Sequence, residues 1–170
     1  MSQPRLISGI AEERIEPLQI RALIVEHDSS DIELEVHELR RAGIQVDYEV
    51  AETREQFREK IQSSSFDVVL ADYRLPSWNG LDALEELRRL GKDIPFLLVT
   101  GTLGEEAAVE CIKSGVSDHI LKGHLSRLPI ALERALKEKS LRDRHARDTA
   151  SLRDSEASFR LLFADNPLPM

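Results

Sequence analysis

Cysteine is nearly missing from this chain. Cys111 is the only one, so no disulfide can form within the molecule. Its place between Val109 and Ile112 in a helical pattern reads as a small core residue rather than a nucleophile. Long apolar runs are missing too. No stretch approaches the roughly 18–20 residues that span a bilayer, and the N-terminus has no signal-peptide apolar segment. The expectation is a soluble, cytoplasmic chain with no membrane contact. Positive charge is in deficit: 23 Lys and Arg stand against 31 Asp and Glu, a net charge of −8 over 170 residues. Such a surface repels nucleic acid and anionic lipid, which argues against a purely electrostatic nucleic-acid binder. The length suits one domain of ordinary size with about forty residues to spare.

From Arg21 onward, short apolar runs alternate with amphipathic segments. The runs are "ALIV" (22–25), "VDYEVA" (46–51), "FDVVLA" (66–71), "IPFLLVT" (94–100) and "DHIL" (118–121). Between them the apolar residues take helical spacing: Ile32, Val36 and Leu39; Phe57 and Ile61; Leu81, Leu84 and Leu87; Ala108, Ile112 and Gly115. Ser30 with Glu33, and Thr53 with Gln56, have capping-box spacing, and Gly43, Gly91 and Gly115 fall where helices should stop. Unbroken runs such as "VVLA" and "FLLV" predict strands covered on both faces, hence a parallel sheet between layers of helix. The expected fold class is α/β: a doubly wound, five-stranded parallel sheet of (βα)5 type.

In such sheets, ligands bind beyond the carboxyl ends of the strands, near the point where strand order reverses. That rule selects Glu26, His27 and Asp28 after the first strand, Asp72 after the third, Thr100 after the fourth and Lys122 after the fifth. An aspartate ending a buried strand is costly to desolvate unless it is coordinated, paired or reactive. A lone Asp72 would read as a turn cap. With an acidic cluster, a hydroxyl and an amine at matching strand ends, it reads as a carboxylate nucleophile beside a cation site, with Thr100 and Lys122 placed to bind phosphoryl oxygens.

The motifs "LIVE", "VVLADYRLP", "NGLDAL", "LLVTG" and "HILK", in this order and spacing, resemble the receiver domain of two-component response regulators over residues 20–136. The resemblance implies a flavodoxin-like receiver fold with Asp72 as phosphoacceptor and Glu26 in the acidic pocket. It also implies that the backbone carbonyl of Arg74 serves a magnesium ion and that Thr100 and Lys122 contact the phosphoryl group. Pro76 and Gly80 would shape the loop after the acceptor strand. The implied phosphodonor is a sensor histidine kinase or a phosphotransfer protein.

Several residues depart from the family pattern. His27 stands where receivers carry the acidic side chain that ligates magnesium, and an imidazole is a poor substitute for a hard oxygen. Three readings of His27 remain open: a satisfied histidine in a site that still takes phosphate, a ligand for a softer metal such as manganese, or the mark of a receiver that no longer uses phosphorylation. The first is favoured, with weak magnesium binding; Asp28 could swing toward the site. Gly101 replaces a small alanine, Gly123 replaces a proline and should loosen its loop, and His119 takes the switch position that is commonly aromatic. Trp78, beside the acceptor, reads as a packing residue whose place also suits partner contact.

The rest of the chain has another character. From Ser126 to about Ala164 there is no strand signal and one proline, Pro129, where a first helical turn tolerates it. Leu141, His145, Asp148, Leu152, Ser155, Phe159 and Leu162 alternate in four- and three-residue steps, a half-apolar seam that predicts a homodimer through a C-terminal helix. His145 reads as a polar seam residue rather than a phosphorylated histidine. "LRDSEASFRLLFADNPLPM" resembles the lead-in and first residues of a PAS domain. The expected organisation is an N-terminal extension (1–19), a receiver (20–136), a helical coiled-coil linker (137–163) and the start of a PAS domain (164–170), with a histidine kinase or nucleotide cyclase as output. The competing reading is a pseudo-receiver that docks or dimerises without phosphorylation. An aspartyl-phosphate hydrolase would need a second Asp two residues after Asp72, where Arg74 stands.

Overall fold

The computed structural model describes residues 16–102 and 104–164, with side chains as far as Leu161. Five strands alternate with helices: β1 (Gln19–Val25), α1 (Ser29–Arg41), β2 (Gln45–Ala51), α2 (Arg54–Ser63), β3 (Val68–Asp72), α3 (Gly80–Arg89), β4 (Phe96–Thr100), α4 (Glu105–Ser114) and β5 (Asp118–Leu121). A short 3₁₀ turn (Lys122–Arg127) leads into α5 (Leu128–Ala164). All strand pairs are parallel, in the order β2-β1-β3-β4-β5. This is the expected α/β sheet, the flavodoxin-like receiver fold, with a long C-terminal helix.

The apolar runs are explained by cover on both faces. In β1, Ile20, Ala22 and Ile24 join a core with Ile32, Val36 and Leu39 of α1 and Leu128, Ala131, Leu132 and Ala135 of α5. Leu23 and Val25 point the other way, into a core with Phe57, Ile61, Ala83, Leu84, Leu87 and Cys111. A period-2 strand between two apolar layers has no face left for polar residues. Cys111 is a buried core residue, as its setting predicts.

Helix ends follow the glycines: Gly43, Gly91 and Gly115 all have positive φ, at 84°, 67° and 73°. Thr53 caps α2 by accepting from Gln56 N–H. The Ser30/Glu33 box does not form. Asp28 is the N-cap of α1, its carboxylate accepting from Ser30 N–H at 2.8 Å. An aspartate two positions earlier reaches the free amides at least as well and leaves Ser29 and Ser30 inside the first turn. Gly123 does not open a slack loop but lies within the 3₁₀ turn.

The two halves of α5 differ. Leu128, Ala131, Leu132 and Ala135 are buried, whereas every side chain from Ser151 to Leu161 is exposed. Residues 1–15, which cover most of the expected N-terminal extension, and residues 165–170 of the PAS reading lie outside the described residues, as does the Leu162 side chain. Among the described residues no helix is long and apolar enough to cross a membrane.

Candidate functional site

The order β2-β1-β3 makes the boundary between β1 and β3 the place where the winding reverses, and the two carboxylates at its rim come from these strands. Glu26, directly after β1, is fully buried, and Asp72, the last residue of β3, is 6% exposed. Thr100 ends β4 two strands from β1 and is likewise buried. Lys122 follows β5. Its ammonium donates to Glu26 Oε2 at 2.9 Å, to Asp72 Oδ2 at 2.9 Å and to a carboxylate oxygen of Asp31. The structure thus gathers Glu26, Asp72 and Lys122 as expected, and adds Asp31.

The hydrogen bonds explain how two buried carboxylates persist. Glu26 Oε1 accepts from the backbone N–H of His27 at 2.8 Å and of Asp28 at 3.0 Å, while Oε2 faces the ammonium. Asp72 Oδ1 accepts from Arg74 N–H at 3.2 Å. Burial works against the charge on Lys122, but its bonds to Asp31, Asp72 and Glu26 outweigh it and hold the ammonium above the ordinary lysine pKa. The lysine is therefore a fixed positive charge at the focus of three carboxylates.

The loop after Asp72 is closed by local chemistry. Asn79 caps α3 in a reciprocal box with Asp82, at 2.9 and 3.0 Å. Gly80 sits where a Cβ would lie 2.5 Å from Leu98 Cδ1 and 2.7 Å from the Asp72 carbonyl oxygen, so only glycine lets α3 start this close to β3. Trp78 is buried, stacks edge-on against Phe57 with centroids 5.7 Å apart, and donates from Nε1 to the Glu52 carbonyl at 3.1 Å. Its packing reading holds, and its burial leaves little surface for a partner. Pro76 is exposed in the same loop.

His27 lies at the edge of the acidic cluster, and Asp28 is turned away from it. The His27 side chain is 45% exposed, with Nδ1 3.1 Å from Glu26 Oε1. Asp28 is occupied as the helix cap and does not swing inward; its bond from Ser30 N–H holds its pKa below the usual carboxylate value. His119 lies half-buried on β5, paired in register with Leu98. Two residues were missed by sequence reasoning. Asp31 stands in the first turn of α1, and Glu35, one turn further, is 2% exposed. Burial first, then the negative charge of Glu26, pushes the Glu35 carboxyl up to about 8. Spacing held a signal for it, because position 35 lies three residues after Ile32 on the apolar stripe of α1.

Two buried oxygens have no hydrogen-bond partner among the described residues: Thr100 Oγ1 and Glu35 Oε2. Glu26, His27 and Asp72 each offer a ligand atom, all within 4.8 Å of one another. Hard carboxylate oxygens that already converge on an ammonium, beside an unpaired hydroxyl, fit a magnesium ion better than they fit a soft metal.

Comparison with known proteins agrees with this geometry. The response regulator receiver domain family matches residues 22–133. The transcriptional regulatory protein ZraR of Klebsiella oxytoca is 30% identical over 132 residues, 77% of this chain and 29% of its own length. The non-phosphorylated HemR receiver domain of Leptospira biflexa is 32% identical with a TM-score of 0.57, over 68% of this chain and 93% of that one. A receiver domain of the Pseudomonas aeruginosa sensor histidine kinase PA1611, solved with magnesium in its active-site cleft, shares the fold at 22% identity and a TM-score of 0.58, over 70% of this chain and 98% of that one. The chain belongs to the response regulator receiver domain family of two-component signalling. Receivers of this family take phosphate from histidine kinases or phosphotransfer proteins and bind magnesium in their acidic site. The chain spans under a third of the length of the ZraR protein it matches.

Proposed function

We propose that the chain is a working phosphoacceptor module, with Asp72 as the acceptor. The observation that carries this reading is the convergence of Asp72 and Glu26 on the Lys122 ammonium, at 2.9 Å each, beside the unpaired hydroxyl of Thr100. An Asp72 carboxylate oxygen attacks the phosphorus of a phosphohistidine or acyl phosphate; the bond from phosphorus to the leaving group breaks, and that group departs with the electron pair. Lys122 then moves from carboxylate to phosphoryl oxygen, and Thr100 Oγ1 donates to another, so that fixed charges meet those that develop. Glu26, Asp72 and the Arg74 backbone carbonyl would hold a magnesium ion, weakly for want of an acid at position 27, and the ion would supply positive charge against the incoming phosphoryl group. His119 is the switch residue that follows the state of Thr100.

The exposed half of α5 carries the output. Leu141 and Leu152 are 52% and 65% exposed in the second half of the helix, and exposed leucines at two of the seam positions support a homodimer. In this reading 20–136 is the receiver and 137–163 the coiled-coil linker. A PAS-linked histidine kinase or cyclase after the helix rests on the sequence of residues 152–170 alone. Acetyl phosphate with magnesium tests the acceptor: intact mass should show one added phosphoryl group on the wild type and none on Asp72→Asn. Equal labelling of the two, or none on either, sinks the reading and favours the docking module instead.

A further inference from the structure

We propose that Asp31 is the third carboxylate of the cation site, standing in for the acid that position 27 lacks; the proposal rests on the receiver reading above. The Lys122 ammonium is itself a cation, and the oxygens around it are those of Glu26, Asp72 and Asp31. Three carboxylates from β1, β3 and the first turn of α1 thus already share one positive centre. His27 brings a ring nitrogen within 4.8 Å of Glu26 and Asp72 ligand atoms, but its imidazole is nearly half exposed, lies against Glu26 Oε1, and offers nitrogen where Asp31 offers a hard oxygen.

The placement of Asp31 follows from the cap. Asp28 ends the strand-to-helix turn and accepts from Ser30 N–H, which starts α1 at Ser29. Asp31 then lies in the first turn, next to the carboxyl ends of the strands, and its side chain is 27% exposed, between the buried rim and solvent. Two buried oxygens without a hydrogen-bond partner among the described residues belong to the neighbouring strand end and helix turn. Thr100 Oγ1 is at the end of β4, and Glu35 is one turn along α1 from Asp31. The raised pKa of Glu35 traces in part to the charges of Glu26, Asp31 and Asp72, so these four acids share one field. With Glu35 protonated, the three remaining carboxylates and Lys122 leave the pocket negative by two charges, matching a divalent ion. Hard divalent ions take carboxylate oxygen before imidazole nitrogen.

The test is calorimetric titration of the full chain with magnesium and with manganese, folding being checked by circular dichroism. Asp31→Asn should weaken both ions about ten-fold or more, and Asp31→Glu should keep most of the affinity. His27→Ala should change it less than about three-fold, and adding His27→Asp to Asp31→Asn should restore binding. A tether that merely holds Lys122 would give another pattern, so the titration is repeated on Lys122→Met, where Asp31→Asn should again cost about ten-fold. Affinity within about three-fold of the parent after Asp31→Asn, in either background, overturns the proposal. Asp72 labelling is read separately. Lost labelling with Asp31-dependent binding fails the phosphoacceptor reading alone, and labelling with Asp31-independent binding fails this proposal alone.

Discussion

The two halves of α5 show what the rest of the molecule does and does not supply. Both are helix, both carry leucines, and no break separates them. Leu128 and Leu132 have the sheet to bury against and are fully buried; Leu141 and Leu152 have none and stand about half or more in water. The same side chain is thus a core element in one half and a free surface in the other. Apolar burial stabilises at about 25 cal/mol per Å², so the first half anchors the helix and the second contributes little to a single chain. A contrast of the same kind holds for charge. Glu26 is buried with all its bonds made, whereas the Glu35 carboxyl is buried with one oxygen unpaired.

Leu132→Ala should produce the largest effect, a loss of roughly 2–5 kcal/mol in denaturant unfolding, because it empties a site between β-sheet and α1. A loss near zero would mean that the helix is not anchored there. Glu35 comes next. Its carboxyl is neutral when buried at ordinary pH, so its contribution is intact below the unfolded value near 4.5 and is lost as pH rises toward about 8. Wild-type stability should therefore fall across that window by a few kcal/mol at most, and Glu35→Gln should flatten the fall. Parallel pH profiles for the two proteins would place the ionisation elsewhere.

Gly80→Ala should cost about 1–3 kcal/mol, since the new Cβ meets Leu98 and the Asp72 carbonyl and must push α3 outward. It should also slow labelling of Asp72 by moving the loop that follows it. The smallest effect belongs to the projecting half of α5: Leu152→Ala should change the unfolding of the isolated domain by less than about 0.5 kcal/mol. In the proposed homodimer the same leucine would pack against its copy. Truncation after Lys137 should shift light scattering from dimer to monomer, and an unchanged dimer would move the interface onto the receiver body.

Much of this site could be read from sequence because strands write their ends plainly. Glu26, Asp72, Thr100 and Lys122 each follow an apolar run, and a parallel sheet brings such ends together whatever the intervening helices do. Asp31 was hidden because a helix shows only its periodicity, and it reads as one more polar residue of a first turn. Glu35 was legible only by position, since it lies on the buried stripe of Ile32, Val36 and Leu39. The expected Ser30 cap gave way to Asp28 for a related reason: where α1 starts depends on where the chain leaves the strand, which spacing alone does not determine. Trp78 could be read in its packing role but not in its bond to Glu52, a partner 26 residues away.

The central claim is that Asp72 receives the phosphoryl group. It is tested most directly by labelling the chain with acetyl phosphate and magnesium, reducing the product with borohydride and sequencing the peptides by mass. An acyl phosphate is reduced at its carbonyl, so an aspartyl phosphate becomes homoserine. The account predicts homoserine at position 72 and at no other aspartate, Asp28 and Asp31 included. Homoserine at another aspartate, or a fully unmodified Asp72 after donor treatment, would contradict it.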